Sequence, residues 1–137
     1  MTHNEYNRSR KEPVSYLQIW SFPREYDLPP RYQKADLAPQ QENSLLPVID
    51  PEGKENTASI NQDLWVYRGR LNAGKSISYS IRDDRFGVYV FLIDGDVTIE
   101  GTKLKKRDGM GVWALDTVSI SADSDSDFIL IEVPMRK

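Results

Sequence analysis

The chain contains no cysteine and a single histidine, His3. The first absence excludes disulfides, thiolate metal sites and cysteine nucleophiles. The second leaves every later position without an imidazole, the side chain most used for acid–base and metal chemistry near neutral pH. No apolar run approaches the roughly 20 residues of a membrane span. The first residues are polar and charged, unlike a signal peptide, so cytoplasmic residence is the expectation. Charge excess is small too: a net charge of −3 and a pI near 5.2 give no pull toward nucleic acid or anionic membranes. Amphipathic helices and internal repeats are also missing.

What remains is 137 residues, 39% of them hydrophobic and 28% charged. That length suits one domain able to bury a complete core. Three segments read differently. Residues 1–23 hold a β-rich run, Val14–Trp20, stopped by Pro23. Residues 24–57 hold Pro29, Pro30, Pro39, Pro47 and Pro51, which rule out a long helix or a central strand. This is an extended crossing segment, with a short strand at Leu46–Ile49. Residues 58–137 are a series of short strands: 64–68, 76–81, 88–93, 97–99, 111–114, 118–121 and 128–133. In Ser76–Ile81 the apolar residues Ile77, Tyr79 and Ile81 alternate with serines, the period of a strand with one buried face. Asp94-Gly95 suits a tight type I′ hairpin, and Gly101, Asp108-Gly109 and residues 122–127 are further turns. The expected fold class is all-β, a sandwich or barrel.

Few residues suggest chemistry. Asp123-Ser124-Asp125-Ser126-Asp127 looks like a calcium loop, but the required glycine and glutamate positions hold Phe128 and Pro134, so a solvated turn is expected. Lys103, Lys105, Lys106 and Arg107 suit a strand edge better than a nucleic-acid surface. Asp83-Asp84, flanked by Arg82 and Arg85, reads as a charged loop, since adjacent strand residues face opposite ways. Trp20, Trp65, Trp113, Tyr67, Tyr79 and Tyr89 are expected in the core, the alternative being the lining of a barrel mouth. A Ser-His-Asp arrangement has no usable histidine.

Val90–Gly101 followed by Asp108-Gly109 resembles the central part of a cupin barrel. Two further stretches extend the likeness. His3-Asn4-Glu5-Tyr6-Asn7 with Glu12–Trp20, Pro23, Pro30 and Tyr32 resembles the mid-region of pirin-like proteins, a family with bacterial members described as quercetin 2,3-dioxygenases. Gln62–Arg68, Gly95–Ile99, Asp108-Gly109 and Ile120–Asp127 resemble that family's C-terminal barrel. The resemblance implies a single cupin-like jelly-roll barrel over 58–137, a Pro-rich linker over 24–57, and a remnant of an N-terminal barrel over 1–23. In the family the N-terminal barrel holds iron or another divalent metal through three histidines and a glutamate. His3 and Glu5 match the last two of these ligands.

The chain starts just before that pair, so the resemblance implies an incomplete metal site, no cofactor in this chain and no activity alone. With the first barrel missing, the 14–20 strand is expected either to pack onto its own barrel or to pair with the same strand of a second copy in a homodimer, and a partner chain supplying an N-terminal cupin would complete a dioxygenase site.

Overall fold

The computed structural model describes residues 4–135, with Glu55 described by its backbone alone. Ten strands run from residue 44 onward: β1 (Ser44–Asp50), β2 (Ala58–Ser59), β3 (Trp65–Leu71), β4 (Ser76–Ser80), β5 (Phe86–Asp94), β6 (Asp96–Ile99), β7 (Thr102–Lys105), β8 (Gly109–Trp113), β9 (Thr117–Ala122) and β10 (Ser126–Pro134). A 3-10 turn, Lys54–Asn56, is the only helical element among the described residues. The expected all-β barrel is borne out.

The strands form two sheets, one of six in the order β2-β1-β3-β10-β5-β8 and one of four in the order β4-β9-β6-β7. Period-2 alternation decides what lies between them. In β10, Ser126, Phe128, Leu130 and Glu132 are buried, and Ile129, Ile131 and Val133 face outward. Phe128, Leu130, Val90, Leu92, Val97, Ile99, Val118 and Ile120 are fully buried between the sheets. Each such side chain is worth about 1.5–3 kcal/mol on leaving water. Ile77, Tyr79 and Ile81 point into this core, as the serine alternation requires.

β1 enters the six-stranded sheet beside β3, so sheet structure begins at Ser44 within the Pro-rich segment. Pro47 is tolerated because the β1–β3 register shifts between Pro47 and Ile49, a bulge where the missing donor costs least. The rest of the segment is tied down locally. The Gln33 side chain accepts bonds from the Ser59 amide (3.0 Å) and hydroxyl (2.9 Å), and the Arg24 amide donates to Asn61 O at 2.7 Å.

Two expectations need correction. Asp94-Gly95 is not a hairpin, because β5 and β6 lie in different sheets. Gly95, at φ 90°, is the corner where the chain changes sheet, and a Cβ there would collide with the Asp125 carbonyl and the Ser126 hydroxyl. The two-residue hairpin comes one strand later, at Glu100-Gly101 (φ 45° and 78°), between the paired residues Ile99 and Thr102. Second, Val14–Trp20 is not a strand; it joins neither sheet. It runs beside the outward side chains Tyr89, Phe91, Ile129 and Ile131, lining a groove with Leu17, Gln18, Ile19 and Trp20. Its backbone therefore lies over a sheet face, where no ladder partner is available.

Candidate functional site

The inner face of the barrel is mostly apolar, and the one buried carboxylate among the described residues lies at one end. There Glu132 of β10 lies level with Trp65 of β3, and Leu130 lies level with Tyr67. Glu132 is fully buried, a costly position for a carboxylate unless every oxygen is matched. It is matched. Glu132 Oε2 accepts from the Tyr79 hydroxyl at 2.7 Å and pairs with Arg82 Nε at 3.0 Å, while Oε1 accepts from the Arg82 amide at 2.7 Å. Arg82 sits in the loop after β4. Its Nη2 donates to the Tyr67 hydroxyl at 3.2 Å, and its guanidinium lies 3.9 Å over the Trp65 ring. The Tyr67 and Tyr79 rings meet edge to face at 5.2 Å, as do those of Trp65 and Phe86 at 5.7 Å. Burial, then the bond to Glu132, pushes the Tyr79 hydroxyl well above its ordinary pKa.

This polar end opens into a cleft of about 140 Å³ lined by Pro47, Ile49, Asp50, Lys54, Thr57, Trp65, Tyr67 and Arg82. β1 delivers Asp50, and the following turn delivers Lys54 and Thr57. Asp50 Oδ1 accepts from the Glu52 amide at 2.8 Å, and Oδ2 from the Trp65 indole at 3.1 Å. Burial would raise the Asp50 pKa, but bonds from the Glu52 and Lys54 amides and the indole outweigh it and hold the carboxyl below its usual range. Lys54 Nζ pairs with Glu52 at 2.6 Å, which raises its pKa. The Thr57 hydroxyl donates to Lys54 O at 2.6 Å.

The residues singled out in the sequence fall elsewhere. His3 lies outside the described residues. Glu5 sits in an exposed stretch ahead of the barrel, without regular secondary structure. The acidic run 123–127 is a turn leading into β10, and its carboxylates serve internal bonds. Asp123 accepts from the Thr98 hydroxyl at 3.0 Å, Asp125 from the Ala73 amide at 2.8 Å, and Asp127 pairs with Arg68 and Arg70. Asp83 turns back onto Arg85 at 2.7 Å. Lys103 and Lys105 lie exposed on β7, the edge of the four-stranded sheet, and Lys106 pairs with Asp94 at 3.0 Å. Of the six aromatics expected inside, Tyr79 is in the core, Tyr67 packs against it and Trp65 lines the cleft half-buried, but Trp20 (86% exposed), Trp113 (61%) and Tyr89 (43%) are not inside. Tyr89 and Trp113 occupy outward positions of their strands, and Trp20 belongs to no strand. Glu132 and Arg82 were the residues missed. The signal was present: Phe128, Leu130 and Glu132 alternate, which puts a carboxylate on the inner face.

The description "Quercetinase C-terminal cupin domain" matches residues 48–133. The chain belongs to that pirin-like family. Among relatives of this cupin, a quercetin 2,3-dioxygenase of Escherichia coli K12 is 33% identical over 132 residues, covering 96% of this chain and 56% of the relative. A pirin-like protein of Caulobacter vibrioides is 29% identical over 133 residues, covering 95% of this chain and 56% of the relative. The cupin thus spans about half the length of the curated relatives it matches. The crystal structure of YhhW from Escherichia coli superposes with a TM-score of 0.77 at 28% identity, over 83% of this chain and 47% of that one. The structure of bacterial pirin YhhW in complex with nickel(II) gives 0.76 at 29%, over 83% and 48%. Among the described residues, no helix is long and apolar enough to cross a membrane.

Proposed function

We propose that this cupin barrel is a non-catalytic, metal-free module with a structural and interaction role. The observation carrying this reading is the donor set inside the barrel. The iron or other divalent metal implied by the family resemblance does not fit there. The inner face offers no imidazole, because the chain's one histidine precedes the barrel. Its one carboxylate, Glu132, already has both oxygens bonded to Tyr79 and Arg82. A neutral nitrogen donor set that holds and tunes iron has no counterpart inside the barrel. Metal analysis after exposure to iron(II) or nickel(II) and dialysis tests the reading. We expect far less than one ion per chain; a stoichiometric ion held by the barrel would refute it.

The interaction surface is the outer face of the six-stranded sheet with the segment along it. Leu17, Ile19, Trp20, Tyr89, Phe91, Ile129 and Ile131 line that groove and none is charged. Apolar patches of this kind mark association surfaces. A second copy is the occupant we assign: two uncharged, identical patches meet without like-charge repulsion, and a two-fold pair is the commonest closed arrangement.

A second reading is favoured by the relatives named quercetin 2,3-dioxygenase. In it, this barrel is part of a metal-dependent oxygenase whose site another chain completes, with His3 and Glu5 among the ligands. Oxygen uptake with quercetin separates the readings. The chain alone should be inactive under both, and activity restored by an added N-terminal cupin chain would favour the second.

A further inference from the structure

We propose that the cleft between Lys54 and Arg82 is a binding site for a small organic monocarboxylate. The cleft has unused hydrogen-bonding capacity on its donor side. The carboxylates of Asp50 and Glu132 and the Tyr67 hydroxyl all accept bonds already. Asp50 accepts from the Glu52 amide and the Trp65 indole, Tyr67 Oη accepts from Arg82, and the Glu132 carboxylate behind it is saturated by Tyr79 and Arg82. The donors are not exhausted. Arg82 carries five N–H groups, of which Nε and one on Nη2 are in use, and Nη1 bonds to no described group. Lys54 carries three and is exposed, with Glu52 as its one close partner. A ligand completing this site must therefore supply acceptors.

Arg82 is also held ready. The Trp65 face beneath it, Glu132 on Nε and Tyr67 on Nη2 lock its rotamers before any ligand arrives, which lowers the ordering cost of binding. Pro47, Ile49 and Trp65 give the cleft an apolar wall beside the cations. A volume of about 140 Å³ admits a few heavy atoms, not a nucleotide or a flavonol. Asp50, Glu52 and Glu132 outnumber the two cations and leave the cleft with a net charge of −1, which disfavours a dianion such as phosphate and keeps the affinity for a monoanion in the millimolar range. This site is independent of the assignment of the barrel as metal-free.

The test is a titration of the isotope-labelled full chain with sodium propionate at constant ionic strength, followed by two-dimensional NMR. Saturable shifts of the Trp65 indole and Thr57 amide are expected at millimolar propionate, with little response to propionamide or inorganic phosphate. Arg82→Gln risks unfolding, since it strands Glu132. Lys54→Gln changes an exposed residue and should weaken binding roughly three- to tenfold, as expected for one charge-assisted bond. An absent or unsaturable response, equal shifts with propionamide or phosphate, or undiminished affinity in Lys54→Gln would each overturn the assignment.

Discussion

The hydroxyl of Tyr79 donates to Glu132 at 2.7 Å, joining the four-stranded sheet to the six-stranded one across 53 positions of sequence. This bond and the Arg82 pair are the polar closure of one end of the barrel. Such a buried network is specific and unforgiving, because each member left alone is an unmatched polar group in a medium of low dielectric.

Removing two members should therefore cost less than the two single removals added together. Glu132→Ala should destabilise the fold by about 3–5 kcal/mol, since it strands Arg82 and the Tyr79 hydroxyl. Tyr79→Phe should cost about 1–3 kcal/mol. The double variant should fall short of the sum, because the shared bond is lost once. Urea midpoints of the four proteins measure the difference.

Alkaline titration should expose the same bond. The folded state raises the Tyr79 pKa above its ordinary 10.0, so the folded protein holds a proton that the unfolded chain releases. The resulting stability is fully present below about pH 10 and declines as pH rises beyond it. Stability measured from pH 9 to 11 should fall more steeply in the native protein than in Tyr79→Phe.

Acid acts on the other side of the cleft. Asp50 is held below its ordinary 3.8, so its contribution is present above that value and is lost as pH falls through the lowered one. Asp50→Asn should be less stable than the native protein at pH 6, with the gap narrowing below pH 4. Thermal unfolding at the two pH values tests this.

Gly69 lies on the inner face level with Phe128, and a Cβ there would fall within the Phe128 ring. Gly69→Ala should cost at least the ~1–3 kcal/mol typical of an overpacked core. Adding Phe128→Leu should recover part of that loss, where additivity would make the pair worse than either single change. Chemical denaturation of the three variants decides.

Trp20 at 86% and Phe22 at 82% exposure are large apolar surfaces with little cover within the chain. If a second copy covers them, light scattering should find a dimer that Trp20→Ser together with Ile131→Asp converts to monomer without loss of fold. A native protein that stays monomeric at high concentration would remove the dimer from the proposal.

Much of the architecture could be read from local pattern. Ile77, Tyr79 and Ile81 declare a strand and its buried face by alternation alone, and the lone histidine already keeps imidazole chemistry out of the barrel. Local chemistry also settled that Asp94-Gly95 would turn, because φ > 0 is available there. It could not settle where the turn leads. Pairing partners come from distant strands, so the same dipeptide became a corner between sheets, while Glu100-Gly101 closed the hairpin. The run Val14–Trp20 has the composition of a strand, yet a strand needs an edge, and the fold offers this segment a face. Glu132 was placed inward by its period, but its tolerance there depends on Tyr79 and Arg82, 53 and 50 positions away. Periodicity is a property of neighbours in the chain; satisfaction of a buried charge is a property of neighbours in space.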